Sequence, residues 1–289
     1  MGRKSDFDIA QSKIQLFLEK NDCLSMSQQV LYNEFDKMRH DWDISIHKTG
    51  KNFITFLTQN HLLQKKDFST SEGRIKSLYV KPGIDDTTIF SGLKKQGYFT
   101  HYTALFLHQL TLQIPKTYYL NYEHYKSLKM EPPSQETVDR VFENEQRKSS
   151  QTFAHRGKTI IIINGKLTDR LGVISQNEPT SKYDYTDLER TLIDCTIRPA
   201  YAGGVFEVLT AFKNAKPKLD LNKLKDYLNK LDYLYPYEQC LGFYLEEAGY
   251  PEKVLQLFEK EFKLQFYLTY GMKRTQFSNR WNLHYPFGM

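Results

Sequence analysis

The feature that most constrains the fold is an ordered change of apolar period near the start of the chain. Apolar residues recur at helical spacing in residues 7–18 (Ile9, Ile14, Phe17, Leu18), then in residues 30–38, then from Thr49 to about Asn60. Two extended runs follow, residues 62–68 and 76–80, joined by a polar tip, residues 69–74, that contains Gly73. A period near 3.6 buries one face of a helix, and two runs joined by a short glycine-bearing tip suit a hairpin. Three helices and then a hairpin is the order of a winged helix-turn-helix, and Pro82-Gly83 punctuates its end.

Ser25 or Ser27 can cap the second helix, and the third is expected to bury Phe53, Ile54, Phe56 and Leu57, with Gly50 its weak point. Beyond Gly83 the pattern is mixed. Residues 102–112 read as helix, and residues 116–121, 139–144 and 159–163 read as strands, with Asn164-Gly165 placed to turn a hairpin. A helix over residues 187–197 follows a Thr186 cap. Four further helices are expected over residues 205–213, 221–231, 238–248 and 251–258, then a strand in residues 262–270. The expected class is α+β in three modules: a winged helix-turn-helix in residues 1–83, an α+β segment in residues 84–200 and a mainly helical end in residues 201–289.

Charge gives the first module a direction. From Ile44 through Lys66 there is no Asp or Glu, yet there are four Lys and two His. Carboxylates there would be repelled by phosphate, so their absence fits an element that faces nucleic acid. In such a motif the recognition helix enters the major groove through its N-terminal residues. The candidates are His47, Lys48, Thr49, Lys51, Asn52 and Thr55 on that helix and its approach. Asn52 has the amide to read adenine and Thr55 the methyl to meet thymine. Lys65, Lys66, Arg74 and Lys76 sit where a wing reaches the backbone or the minor groove. Over residues 1–83 the excess of 13 Lys and Arg to 10 Asp and Glu is small, so a protein-docking head is the competing reading.

Two later stretches carry a resemblance. Residues 97–111 contain Thr103-Ala104-Leu105-Phe106-Leu107-His108-Gln109-Leu110, and Gln113-Ile114-Pro115-Lys116 follows. Residues 187–194 contain Glu189-Arg190-Thr191-Leu192-Ile193-Asp194, which runs on through Arg198-Pro199 to Gly203-Gly204. Together they resemble the AbiEi family, the antitoxins of type IV toxin–antitoxin and abortive phage-infection systems. The resemblance implies a transcriptional repressor that binds its own double-stranded promoter DNA at inverted repeats. It also implies a neighbouring nucleotidyltransferase-like toxin as functional partner, with direct contact left open. It carries no catalytic residue. The residues themselves have structural roles: Leu105, Phe106 and Leu110 as core, His108 as a hydrogen-bonded neighbour of that core, and Asp194 as partner to an Arg such as Arg198.

Enzyme chemistry is not expected. Walker and dinucleotide glycine spacings are absent, no Ser lies in a G-x-S-x-G elbow, and the eight His form no zinc pattern, so no cofactor and no metal are expected. Cys23, Cys195 and Cys240 lack disulfide or metal spacing and read as reduced thiols. The longest apolar run, Ile160 to Ile163, is too short for a bilayer, and the expected location is the cytoplasm, without membrane contact. The tail interleaves Lys223, Lys225 and Lys230 with Tyr227, Tyr233 and Tyr235, a pattern open to RNA such as tRNA. The spacing of Leu221, Leu224, Leu228 and Leu231 favours an ordinary amphipathic helix. The alternative to the antitoxin and repressor is a non-enzymatic interaction module that binds its toxin or another protein directly.

Overall fold

The computed structural model describes residues 5–125 and 131–289, and among them run eleven α-helices, twelve strands and one 3-10 turn. The first elements are α1 (Asp6–Lys20), β1 (Ser25–Ser27), α2 (Gln28–Met38), α3 (Gly50–Gln59), β2 (Gln64–Thr70), β3 (Ile75–Val80) and α4 (Asp86–Ser91). Next come β4 (Tyr98–Phe99), α5 (His101–Leu107), β5 (Thr117–Tyr125), α6 (Gln135–Glu143), β6 (Thr152–His155), β7 (Lys158–Lys166), β8 (Val173–Glu178) and β9 (Ser181–Thr186). The remainder is α7 (Leu188–Ile197), the 3-10 turn (Pro199–Tyr201), α8 (Val205–Ala215), α9 (Leu221–Leu231), α10 (Tyr237–Glu247), α11 (Glu252–Leu255), β10 (Phe266–Tyr267), β11 (Thr275–Ser278) and β12 (Leu283–Pro286). The class is mixed α+β.

Two compact units share the chain, and neither is continuous. The first takes the described residues up to Gly97 with Thr152–Gly157 and Ser175–Tyr183; the second takes those of Tyr98–Gln151, Lys158–Ile174 and Asp184–Met289. In the first unit β3 pairs antiparallel with β1 and with β2, and β2 pairs antiparallel with β6 through Ser69↔Ala154 and Thr70↔Phe153. The three leading helices bury Phe7, Ile14, Leu31, Phe35, Phe53 and Leu57 in one core. α3 buries the four residues its spacing predicts: Phe53, Ile54, Phe56 and Leu57. Ser27 caps α2 by accepting from the Val30 amide. Gly50 is a close-approach position, because a Cβ there would lie 2.4 Å from the Tyr32 ring.

The second unit is built on β5 and β7, which run parallel in register from Thr117↔Thr159 onward. β4 pairs antiparallel with β5 and meets β9 at Phe99↔Tyr185. A continuous β-branched run such as Ile160 to Ile163 suits a strand covered on both faces. α7 and the helices after Ala200 bury their apolar faces in one shared core, with Leu192, Val208, Leu224, Leu241 and Trp281 all buried in it.

Several expectations are corrected here. Residues 139–144 are not a strand: α6 spans them, capped by Ser134 and burying Val138 and Phe142 four residues apart. Asn164-Gly165 turns no hairpin but lies inside β7, where a Cβ on Gly165 would be 2.5 Å from the Asn121 side chain. Asp187, not Thr186, caps α7 by accepting from the Arg190 amide. α5 stops at Leu107, and Gln109 follows at φ 59°. The strand expected in residues 262–270 shrinks to β10, which joins β12 and β11 in a three-stranded sheet that the periodicity did not announce.

Candidate functional site

The approach to α3 is held by residues distant in sequence. Arg39 donates to the carbonyls of Ser45 (2.8 Å) and Lys48 (3.2 Å), and the Ser45 amide donates to Asp6 (3.1 Å). At the helix start Thr49 and Asn52 form a reciprocal capping box. Asn52 Oδ1 accepts from the Thr49 amide at 2.9 Å and the Thr49 hydroxyl at 2.7 Å, and Thr49 Oγ1 accepts from the Asn52 amide at 3.3 Å. Both lone pairs of Asn52 Oδ1 are thus engaged, and an adenine contact through it would cost the cap.

The remaining helix candidates face outward. His47, Lys51 and Thr55 are exposed and Lys48 half-exposed, opposite the buried face. Among the described residues no carboxylate pairs with Lys48 or Lys51. Thr55, itself exposed, donates back to the Lys51 carbonyl at 2.9 Å.

The hairpin candidates divide. Side chains alternate along a strand, so Lys65 and Lys66 point to opposite faces of β2. Lys66 shares the face of buried Phe68, and Lys76 is the register partner of Phe68. Lys76 is tied down: its ammonium donates to the Leu93 carbonyl at 2.5 Å and lies 5.5 Å from the Phe153 ring centroid. Burial, helped by the charge of Lys94, holds its pKa below the usual lysine range. Lys65 pairs with Asp67 at 3.0 Å, and Arg74 at the tip with Glu72 at 3.3 Å, both in solvent. Sequence spacing therefore names ten residues, and the structure leaves His47, Lys48, Lys51, Thr55, Lys65 and Arg74 presented outward. The anchoring by Arg39 and Asp6 had no sequence signal, since it depends on contacts across the helical core.

The second unit holds a cleft of about 950 Å³. A buried polar network underlies it. Arg190 donates to Asp194 (2.8 Å) and to the Leu171 carbonyl (2.8 Å), and the Thr100 hydroxyl donates to Asp194 (2.6 Å). Asp194 is thus taken by Arg190 on its own helix, not by Arg198 as the sequence led one to expect. Glu123 accepts from the Thr168 amide at 3.1 Å and from the Tyr98 hydroxyl at 3.1 Å, and Asn121 donates to that hydroxyl at 2.7 Å. Burial outweighs every charge near Tyr98 and pushes its pKa above the phenol range. Glu189 and Asp187 both reach Lys223, at 2.8 and 3.0 Å. His108 sits beside the core with Nε2 at 2.8 Å from the Thr186 carbonyl. Among the described residues no cluster of His, Cys, Asp or Glu is arranged to hold a metal, and no helix is long and apolar enough to cross a membrane.

No protein-family model matches the chain, and no curated protein matches it. Its fold is similar to that of a crystal structure of the RV2827C protein from Mycobacterium tuberculosis. The similarity has a TM-score of 0.57 at 12% identity, over 96% of this chain and 91% of that one. At that identity the likeness is one of fold.

Proposed function

We propose that the chain is a DNA-binding antitoxin and autorepressor of the type IV toxin–antitoxin kind, with a winged helix-turn-helix head and no enzymatic activity of its own. The observation that carries the reading is the outward face of α3. Lys51 and Thr55 stand there opposite the buried quartet that seats the helix, with Lys48 just before the Thr49 cap, and neither lysine has a carboxylate partner among the described residues. Unpaired lysines at a helix start suit phosphates, and Thr55 suits a thymine methyl. Lys65 and Arg74 supply weaker positive charge on the hairpin, because each already has an exposed carboxylate neighbour. The antitoxin half of the reading rests on the resemblance of residues 97–120 and 187–209 to the AbiEi family.

A docking head is favoured by one observation: Ile46 and Ile75 are 82% and 62% exposed, beside the same lysines and on the same hairpin. Salt separates the two readings. The double variant Lys48→Glu, Lys51→Glu should abolish a gel shift of the chain's own promoter DNA, and wild-type affinity should fall steeply with salt. An unchanged shift removes these residues from the footprint. A partner protein bound with a shallow salt slope, and no shift of DNA, establishes the docking head instead. Co-expression with the adjacent gene, scored by growth, tests the antitoxin half.

A further inference from the structure

The cleft of the second unit is richer in unbalanced charge than its structural network requires. Five cationic side chains line it: Arg140, Arg147, Lys166, Arg190 and Arg198. Two are already satisfied. Arg190 is neutralised by Asp194, and Lys166 donates to the carbonyls of Leu231 (2.7 Å) and Asp232 (2.9 Å). Arg140, Arg147 and Arg198 have no carboxylate partner among the described residues, although Glu145 and Asp232 line the same cleft.

Two buried polar atoms on the lining are also unmet. Among the described residues His101 Nδ1 and Gln146 Oε1 have no hydrogen-bond partner. His101 is only 5% exposed, and its backbone sits at φ 52°, a left-handed conformation that costs a non-glycine residue energy. Burial holds its pKa down to about 4, and the charges of Arg198 and Arg190 work in the same direction against Asp194. The ring is therefore neutral near pH 7 and can offer an N–H at Nδ1, while Gln146 Oε1 can only accept. Arg198 lines the cleft with its guanidinium 5.7 Å from the Tyr201 ring centroid.

We infer that this cleft binds a nucleoside monophosphate group, either as a free nucleotide or as the phosphorylated end of a nucleic-acid strand. Arg140, Arg147 and Arg198 receive the phosphate, as guanidinium forks match its oxygens. His101 Nδ1 donates to it, and Gln146 Oε1 accepts from a sugar hydroxyl or base amino group. At about 950 Å³ the cleft falls in the range of sites that take a whole small ligand. The inference is independent of the DNA reading of the head.

Calorimetric titration of the full chain with AMP, GMP, CMP and UMP, each against its nucleoside and against inorganic phosphate, tests it. At least one nucleotide should bind at least tenfold tighter than its nucleoside and than phosphate. Arg198→Gln should weaken that binding at least tenfold, Arg198→Lys should restore part of it, and the exposed Arg147→Gln should weaken it severalfold without changing the melting temperature. Lys48→Glu should leave it unchanged. Displacement of the nucleotide by a 5′-phosphorylated tetranucleotide assigns the site to a strand end; failure to displace it assigns it to the free nucleotide. The proposal is overturned if no nucleotide binds at millimolar concentration, or if nucleoside and nucleotide bind equally. It is also overturned if neither Arg198→Gln nor Arg147→Gln weakens binding, or if Lys48→Glu does.

Discussion

The outward face of α3 and the cleft of the second unit both present unpaired positive charge, and they hold it by opposite means. At the start of α3 the cations are lysines with flexible stems, Lys48 half-exposed before the cap and Lys51 exposed on the first turn. In the cleft they are arginines on a concave wall, beside a carboxylate–guanidinium network that is itself nearly dry: the side chains of Arg190 and Asp194 are 5% and 9% exposed. Lysine acts as a mobile point charge and arginine as a rigid fork. Under the readings proposed above, the exposed lysines would meet a polymer of phosphates in many registers, and the cleft arginines a single anion in a fixed geometry. Exposed charge can also be changed at little cost to folding, whereas the charge under the cleft cannot.

That contrast can be broken by mutation, with each unit carrying its own reporter: Trp42 lies in the first and Trp281 in the second. The largest expected effect is in the second unit. Asp194→Ala leaves the Arg190 guanidinium buried and unpaired and should cost about 3–5 kcal/mol in chemical denaturation followed by Trp281 fluorescence. A loss below about 1 kcal/mol would show that the pair is not the keystone of that unit.

Acid should come next, and the sign is fixed by the histidines. Burial depresses the pKa of His101 to about 4, and it depresses His108 too. The unfolded chain therefore takes up protons that the folded chain refuses, and stability falls as the pH drops from about 6.5 toward 4. For His101 alone the loss at pH 5 is on the order of 2 kcal/mol. His101→Asn, which keeps a residue tolerant of positive φ, should flatten that pH profile; an unchanged profile assigns the acid sensitivity elsewhere.

In the first unit the expected effects are smaller. Thr49→Ala removes the capping box of α3 and should cost about 1 kcal/mol, read through Trp42 in a Trp281→Phe background. Smallest is Lys65→Ala, whose partner Asp67 lies in solvent: at most about 0.5 kcal/mol. A larger loss there would mean that the hairpin charges serve folding before any ligand.

Legibility in the sequence followed the range of the interactions. The buried quartet of α3 and the hairpin of β2 and β3 could be read because local spacing alone sets which side a residue faces. α6 was misread as a strand, although Val138, Val141 and Phe142 fall three and four residues apart, the spacing of one helix face, behind a Ser134 cap. Lys76 looked like a wing residue, and only the Leu93 carbonyl and Phe153, both far along the chain, withdraw it. Asp194 was expected to hold an arginine and does so, but of the two that lie four residues away it holds Arg190, inside α7, and not Arg198, whose backbone has left the helix at φ −133°. Arg140, Arg147 and Arg198 carried no motif that joined them, for they come from different segments.

By itself the sequence determined the α+β class, three leading helices with a hairpin behind them and the acid-free stretch around α3, because periodicity and charge are local properties; it did not announce β1 between the first two helices. The tertiary structure decided which lysines stay in solvent, which arginines are neutralised and that three without a carboxylate partner among the described residues line one cleft with Arg190. Those outcomes depend on partners brought together across the chain, and no spacing encodes them.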